Sequence, residues 1–277
     1  MSNPNETEWL RWARPEAKAR TGRVCHALFD FDGTISTLRQ GWEEVMAPLM
    51  IGELSPAGGD PAELEAEVQA YIDRSTGILT IHQMEWLAEE AKRRGLAAKT
   101  PREYKAEYLR RLMVRVDQRL ARLESGAAAP EEFSLAGSID FAAGLAARGV
   151  RLYLASGTDH HSVVHEAGAL GLLEIFSGGV YGALDDSEAH AKDRVIQQIL
   201  DGLSGPAAEL LVVGDGTVEM REAAARGALA LGVASDEVHR SGWNEHKVPR
   251  LLRAGADLLV ADFSRSAELI ALLTGAD

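Results

Sequence analysis

The sequence predicts an α/β protein, with a Rossmann-like parallel sheet as its core and an inserted α-helical domain. Two observations favour this fold class. Short apolar runs of strand length recur along the chain, and most are followed by a turn and a helical pattern. That alternation is typical of a parallel sheet with helices on both faces. The stretch 38–130 breaks the alternation, because it is patterned as helices with almost no β-branched run.

Five apolar runs predict the strands of the sheet. The first lies at 24–29 and stops at a turn of polar residues. The other four lie, in chain order, at 150–155, 210–213, 228–234 and 258–260. The run at 228–234 is the weakest of the five. Runs of this kind are typical of strands that are buried inside a sheet.

Helical periodicity predicts the inserted domain. Apolar residues in 81–91 and 104–116 recur at the three- and four-residue spacing of one helix face. Small residues at 125–130 predict the linker that returns the chain to the sheet. We therefore expect three parts: an N-terminal arm at 1–22, a core domain formed by 23–37 and 131–277, and a helical domain at 38–130.

Composition limits the classes of partner. The 277 residues are 46% hydrophobic and 26% charged, which is ordinary for a soluble globular protein. The net charge of −13 argues against a nucleic acid or an anionic membrane as the main partner. The single cysteine, Cys25, excludes an internal disulfide framework, and no apolar stretch is long enough for a membrane span. We expect a cytoplasmic monomer or homodimer with no nucleic-acid or membrane partner.

The first candidate motif follows the first predicted strand. It reads Asp30-Phe31-Asp32-Gly33-Thr34. Two carboxylates this close are electrostatically costly unless a cation lies between them. The carboxyl ends of strands are also where open α/β sheets bind ligands. On its own, the string could equally be a solvated turn.

A second acidic motif follows the strand predicted at 210–213. There Asp215 is followed four residues later by Glu219, about one helical turn away. A site of hard oxygen ligands built from Asp30, Asp32 and Asp215 suits Mg²⁺. Glu219 would then contact these ligands rather than the ion.

Two further segments could bind an anion. Ser156-Gly157-Thr158 follows the strand predicted at 150–155, where a hydroxyl and main-chain N–H groups can cradle a phosphate. The alternative for Ser156 is a simple helix cap. Lys192 begins a helical pattern, where its charge opposes the helix dipole. This unfavourable placement indicates another use for Lys192, although an exposed lysine is the alternative.

Together these motifs resemble those of the haloacid dehalogenase-like (HAD) superfamily. The matching residues are Asp30-x-Asp32-Gly33-Thr34, Ser156, Lys192 and Gly214-Asp215-x-x-x-Glu219, in that order. The insertion after the first motif is similar to the helical type-1 cap of phosphoglycolate phosphatase-like members. Two features depart from the commonest pattern: Glu219 stands where Asp is usual, and Lys247 is a second candidate for the role of Lys192.

The resemblance implies a role for each residue. Asp30 would attack phosphorus and become an aspartyl-phosphate, and Asp32 would protonate the leaving group and then activate water. Dehalogenase members lack an acid at the position of Asp32, so phosphoryl transfer is favoured. Ser156, Gly157 and Lys192 would hold phosphoryl oxygens, Thr34 would orient the turn, and Asp30, Asp215 and the main-chain carbonyl of Asp32 would bind Mg²⁺.

We therefore expect a Mg²⁺-dependent phosphatase of a small phosphorylated metabolite, of the sugar phosphate or phosphoglycolate type. A phosphosugar mutase and a catalytically idle module that binds a phosphometabolite are the alternatives. Substrate specificity should come from the helical cap, and we expect Thr76 and Thr80 to contribute it, with Arg39 at the hinge. A helix-capping role for 75–80 is the alternative to a specificity loop.

Overall fold

The computed structural model describes residues 9–184, 191–203 and 205–275, without the side chains of residues 191 and 192. A seven-stranded sheet forms its centre, in the order β1-β7-β6-β5-β2-β3-β4. The strands are β1 (Leu10–Trp12), β2 (His26–Phe29), β3 (Arg151–Asp159), β4 (Gly179–Ala183), β5 (Leu210–Gly214), β6 (Leu229–Val233) and β7 (Leu258–Val260). Strand β1 runs antiparallel to β7, and all other neighbours pair in parallel. The predicted fold class is confirmed.

The described residues also form ten α-helices. They are α1 (Glu43–Leu54), α2 (Pro61–Ser75), α3 (Thr80–Arg93), α4 (Pro101–Glu124), α5 (Ser138–Ala147), α6 (His160–Ala169), α7 (Ala191–Gly202), α8 (Thr217–Arg226), α9 (Lys247–Ala254) and α10 (Ser266–Thr274). None of these helices is both long and apolar enough to cross a membrane.

Both faces of the sheet are buried. Successive side chains of a strand point to opposite sides, so neighbouring residues of one strand belong to different core clusters. On β2, Phe29 belongs to a core cluster that includes Phe141 of α5, at 5.8 Å between ring centroids. The preceding residue, Leu28, belongs to a second cluster with Ile196 of α7 and Met220 of α8. Continuous apolar runs such as β5 are therefore the expected sequence of these strands.

Helices α1 to α4 form the inserted domain, and local signals in the sequence set where they begin. Helix α4 starts at Pro101 after a reciprocal cap, in which Thr100 and Glu103 bond each other's main-chain N–H groups. Helix α2 starts at Pro61, where Asp60 accepts a hydrogen bond from the N–H of Ala62 over 2.9 Å.

Charged side chains join this domain to the sheet domain. Arg119 of α4 donates hydrogen bonds from Nη1 to the carbonyl oxygens of Thr37, Leu38 and Gln40, over 3.1, 2.7 and 3.0 Å. Arg119 therefore holds the segment that leads from the first motif into α1. Lys105 of α4 donates to Asp159 of β3 over 2.7 Å, so the helical domain also contacts the sheet directly.

Two strands were not among the five predicted. Strand β1 lies in the N-terminal arm, where Trp9 and Trp12 pack partly buried against the core. Its three residues are too few for periodicity to show, and its partner β7 is far along the chain. Strand β4 has the sequence Gly-Val-Tyr-Gly-Ala, so two of its five residues are glycine. Glycine disfavours a strand assignment from sequence.

Candidate active site

The candidate residues meet at the carboxyl ends of three neighbouring strands. Asp30 follows β2 and Asp215 follows β5, while Ser156 lies in the second half of β3. The N–H of Asp30 donates to the carbonyl of Val213 over 2.9 Å, which continues the pairing of β2 with β5 beyond Phe29. Eight of the predicted site residues line one cavity of about 90 Å³: Asp30, Asp32, Arg39, Thr76, Thr80, Ser156, Gly157 and Asp215.

Thr34 links the two acidic motifs. Its hydroxyl donates to Oδ2 of Asp30 over 3.2 Å and accepts from the N–H of Asp215 over 3.1 Å. Thr34 is fully buried, so these bonds are not exchanged with water. The hydroxyl thereby orients the carboxylate of Asp30 and fixes the main chain at Asp215.

Asp32 is held from the end of β3. The hydroxyls of Thr158 and Ser156 donate to its Oδ2 over 3.1 and 3.4 Å. Hydroxyls can also accept from a protonated carboxyl group, so both partners can hold Asp32 in either protonation state. Thr158 was not among the predicted site residues, although it stands in the Ser-Gly-Thr string that was singled out.

Lys247 reaches the site from the start of α9. Its ammonium group donates to Oδ2 of Asp215 over 2.7 Å and to Oε1 of Glu237 over 2.6 Å. Burial opposes the charge, but the two carboxylates outweigh it and hold the pKa of Lys247 above its ordinary value. Glu237 was not predicted, and the acids in the loop after β6 are the signal that could have indicated it.

Lys192 lies in the first turn of α7, and its side chain is outside the described residues. Its predicted contact with phosphoryl oxygens therefore stays a prediction. Lys247, the second candidate for this role, bonds Asp215, which lines the cavity.

Arg39 is tied to the sheet domain. Its Nε lies 3.1 Å from both carboxylate oxygens of Glu166 on α6, and its Nη2 lies 2.5 Å from Oε1. Arg39 also lines the cavity, with Nε 3.9 Å from Oδ1 of Asp32. The Glu166 carboxylate raises the pKa of Arg39 against the effect of burial. A contact between Arg39 and a substrate stays a prediction.

The loop between α2 and α3 closes over the cavity. A Cβ atom on Gly157 would lie 3.2 Å from the carbonyl oxygen of Ile78 in this loop. A Cβ atom on Gly77, whose φ is +90°, would lie 3.6 Å from Cα of Gly216. Main chain therefore lies close to main chain at both points. A side chain at position 157 would push against Ile78, whereas one at position 77 is disfavoured by the positive φ.

Thr76 and Thr80 border this loop at different positions. The hydroxyl of Thr76 donates to the carbonyl of Ile72 over 3.1 Å and accepts from Nη1 of Arg250 over 3.4 Å. Thr80 is the first residue of α3 and lines the cavity. Their predicted part in specificity stays a prediction.

Glu219 packs back over its own turn. It lies in the first turn of α8 with only 1% of its surface exposed. A Cβ atom on Gly214 would lie 2.8 Å from Cγ of Glu219, and one on Gly216 would lie 2.4 Å from Oε2. The two glycines therefore make the space that the Glu219 side chain fills.

A hard cation is compatible with the donors at the strand ends. Asp30 and Asp215 supply carboxylate oxygens on adjacent strands, and a Cβ atom on Gly33 would lie 2.7 Å from Oδ2 of Asp215. The main chain at Gly33 is thus close to that carboxylate, beside the carbonyl of Asp32. Within 9–184, 191–203 and 205–275, no three carboxylate, imidazole or thiol groups cluster around one ion position. The proposed ligands are two carboxylates, of Asp30 and Asp215, and one main-chain carbonyl, so they are not a group of three such side chains.

Comparisons with known proteins identify a family. The sequence matches the family model of the haloacid dehalogenase-like hydrolases over residues 26–227. A search of curated proteins finds no match.

Solved structures share the fold at low identity. A predicted phosphoglycolate phosphatase from Haemophilus somnus is 15% identical, with a TM-score of 0.57 over 89% of this chain and 98% of that one. A β-phosphoglucomutase from Clostridium difficile is 12% identical, with a TM-score of 0.58 over 90% and 99% of the two chains. A predicted phosphatase from Clostridium acetobutylicum is 15% identical, with a TM-score of 0.55 over 89% and 98%.

Proposed function

We propose that this chain, which belongs to the haloacid dehalogenase-like hydrolase family, is a Mg²⁺-dependent phosphatase of a small phosphorylated metabolite. The observation that carries the proposal is the position of Asp32, which lines the same cavity as Asp30 and bonds two hydroxyls from β3. An alkoxide leaving group needs a proton, whereas a departing halide does not. A second carboxyl beside the nucleophile therefore favours an ester of phosphate as substrate.

In the first step, a carboxylate oxygen of Asp30 attacks phosphorus. The bond from phosphorus to the ester oxygen breaks as the bond to Asp30 forms, and the proton of the Asp32 carboxyl passes to the departing oxygen. The products are an alcohol and an aspartyl-phosphate on Asp30. Thr34 supports this step, because its hydrogen bond to Oδ2 fixes how the Asp30 carboxylate faces the cavity.

In the second step, water attacks the aspartyl-phosphate. Asp32 is now a carboxylate and accepts a proton from the water, the bond between phosphorus and Asp30 breaks, and inorganic phosphate leaves. Asp32 ends the cycle protonated, as it began. The hydroxyls of Ser156 and Thr158 can accompany this change, because each can donate to the carboxylate or accept from the acid.

Charge on the phosphoryl oxygens needs compensation. Ser156, the main chain at Gly157 and Lys192 are the groups we propose for this purpose, and Lys247, which bonds Asp215 over 2.7 Å, is the second candidate for the role of Lys192. Asp30, Asp215 and the carbonyl of Asp32 would hold Mg²⁺. When bound, the ion would neutralise negative charge on the transferred group and on the carboxylates.

The experiment is a phosphate-release assay over a panel of phosphorylated metabolites and p-nitrophenyl phosphate, with Mg²⁺ and with excess EDTA. We expect release with Mg²⁺, little with EDTA, and inhibition by Ca²⁺, which takes more and longer oxygen contacts than Mg²⁺. Full activity in EDTA would contradict the metal dependence. No release from any ester would contradict the phosphatase and leave the idle binding module.

Product analysis separates the phosphatase from the mutase alternative. Hexose 1-phosphates would be incubated with the enzyme, and hexose 6-phosphates and free phosphate would be measured together. We expect free phosphate in proportion to substrate consumed. Accumulation of the 6-phosphate isomer without free phosphate would identify a mutase instead.

A further inference from the structure

A groove of about 930 Å³ lies between helix α2 of the inserted domain and helices α8 and α9 of the sheet domain. Four arginines line it: Arg74 from α2, Arg221 from α8, and Arg250 and Arg253 from α9. We call it the arginine groove. It shares two lining residues with the catalytic cavity, Gln40 and Glu237, so the two spaces adjoin.

The three outer arginines have no acidic partner in the described part of the chain. Arg221 donates to the hydroxyl and the carbonyl of Thr217, over 3.0 and 3.1 Å. Arg74 lies over the ring of Tyr71, 4.8 Å from its centroid. Arg253 makes neither a hydrogen bond nor an ion pair to any described residue. All three are exposed to solvent.

Arg250 connects the groove to the catalytic loops. Its Nη2 donates to the carbonyl of Asp215 over 3.4 Å, and its Nη1 donates to Thr76 in the loop that covers the cavity. Its closest carboxylate oxygen is Oδ2 of Asp215, at 3.9 Å. The Nε atom of Arg250 is buried and has no hydrogen-bond partner among the described residues. A buried guanidinium donor in that position is costly unless an acceptor arrives.

Several other helical arginines of this chain are neutralised by neighbouring carboxylates. Arg94 bonds Glu90 over 2.6 Å, and Arg110 and Arg111 both bond Glu107, over 2.8 and 2.7 Å. Acidic residues outnumber basic ones by 42 to 29. Among the described residues, no carboxylate lies within hydrogen-bonding distance of the four groove arginines, and Arg250 alone has one within 4 Å, that of Asp215. These arginines therefore present their charge to whatever enters the groove.

Four acidic residues line the groove, and none of them bonds one of its four arginines. Asp73 is exposed and accepts a hydrogen bond from Gln69 over 3.1 Å. Glu237 accepts from Lys247, and Asp236 accepts from the ring and the main chain of His239. Burial, helped by the charge of Glu237, raises the pKa of Glu43 to about 7. Near neutral pH, Glu43 is therefore partly uncharged and offsets the arginines less than an ordinary glutamate would.

We propose that the arginine groove binds a second phosphate group of the substrate, so that the natural substrate is a doubly phosphorylated small molecule. The inference rests on the proposed function, because it places the first phosphate at Asp30. Guanidinium groups bind phosphate through paired N–H donors, and this geometry favours arginine over lysine for such a site. The substrate would extend from Asp30 past Arg250 to the outer arginines.

The kinetic test uses alkanediol bisphosphates of three to eight carbons, each compared with the alkyl monophosphate of equal length. We expect kcat/KM to favour the bisphosphate by roughly 10- to 100-fold, as two charge-assisted contacts would give, with a maximum at the chain length that spans both sites. The double substitution Arg221→Gln and Arg253→Gln should abolish this preference and leave turnover of p-nitrophenyl phosphate as in the wild type. The control is Arg110→Gln with Arg111→Gln, which removes the same charge from residues that do not line the groove.

A binding test keeps the inference separate from catalysis. Calorimetric titration of the Asp30→Asn variant with the best bisphosphate should show binding that weakens roughly 10-fold or more on adding the two groove substitutions. Equal kcat/KM for mono- and bisphosphates, in an enzyme that hydrolyses p-nitrophenyl phosphate, would overturn the inference and leave the proposed function standing. If no ester is hydrolysed, both the proposed function and the substrate assignment fail, while the titration still reports on the arginines. Binding that does not inhibit monophosphate hydrolysis would indicate a separate effector and overturn the assignment.

Discussion

The ammonium group of Lys247 lies 2.7 Å from Oδ2 of Asp215, and each side chain is only 8% exposed. Asp215, which we propose as a magnesium ligand, is thus paired with a lysine that stands 32 residues later in the chain, at the start of α9. The same lysine bonds Glu237, so one cation separates two buried or half-buried carboxylates. Removing one partner of such a group leaves the other charges uncompensated.

Replacing Lys247 by Met should therefore destabilise the protein. We expect the free energy of unfolding to fall by about 3–5 kcal/mol, as for other broken buried ion pairs, measured by urea denaturation without metal. Adding Glu237→Gln to the Lys247→Met variant should recover part of the loss, because it removes one of the two carboxylates. Lys192→Met serves as the comparison: because Lys192 is proposed to compensate charge on the phosphoryl oxygens, we expect its loss to reduce kcat with little change in stability. If Lys247→Met changes neither stability nor kcat, the ion pair has no role in solution.

The Asp30→Asn variant should lose turnover and keep its fold. Asparagine preserves the shape of the side chain but cannot form the aspartyl-phosphate, and we expect kcat to fall by about 1,000-fold or more. Circular dichroism and thermal unfolding would confirm that the protein is folded. Asp117→Asn, an exposed position on α4, is the matched control. Activity within about tenfold of the wild type would exclude Asp30 as the nucleophile.

Gly157→Ala should separate the cap loop from the sheet domain. The new methyl group would lie 3.2 Å from the carbonyl oxygen of Ile78, so the loop over the cavity must move by a few tenths of an ångström. Because catalysis depends on close positioning, we expect kcat/KM to fall by roughly 10- to 100-fold. Gly52→Ala is the control, since Gly52 lies in the last turn of α1, where a Cβ atom meets nothing within 4 Å. Equal kinetics for the two variants would mean that the loop does not close during turnover.

Glu43 should make stability depend on pH. Burial, together with the charge of Glu237, raises the pKa of Glu43 from an ordinary 4.5 to about 7. Between these two values the native state binds more protons than the unfolded state, so the free energy of unfolding falls as pH rises through the window. The total fall is on the order of 3 kcal/mol.

The Glu43→Gln variant tests this pH dependence. It should match the wild type in urea unfolding at pH 5 and be more stable at pH 8, because glutamine carries no charge to bury. Glu44→Gln, at the exposed neighbouring position, should show no such difference between the two pH values. A constant offset between Glu43→Gln and wild type at both pH values would contradict the raised pKa.

The sequence predicted the strands that are apolar throughout, because burial on both faces of a sheet leaves a mark in the residues themselves. It did not predict β1 or β4, whose few residues become strands by pairing with distant partners. The acidic motifs could be located because each directly follows such a strand. The pairing of Lys247 with Asp215 and Glu237 could not, because it depends on how α9 packs beside the sheet.

The antiparallel strand β1 has a consequence for how the molecule behaves at high concentration. It occupies the outer side of β7, whose three residues are fully buried. Arg11 of β1 is itself held by Glu245, over 2.8 Å, and stacks on the ring of Trp243. An uncovered apolar edge offers free main-chain N–H and C=O groups on which another molecule can add a strand. Strand β1 takes the place of β7 as the edge of the sheet, and it is only three residues long and carries the charged Arg11. A short, charged edge strand discourages sheet-to-sheet aggregation on this side of the molecule.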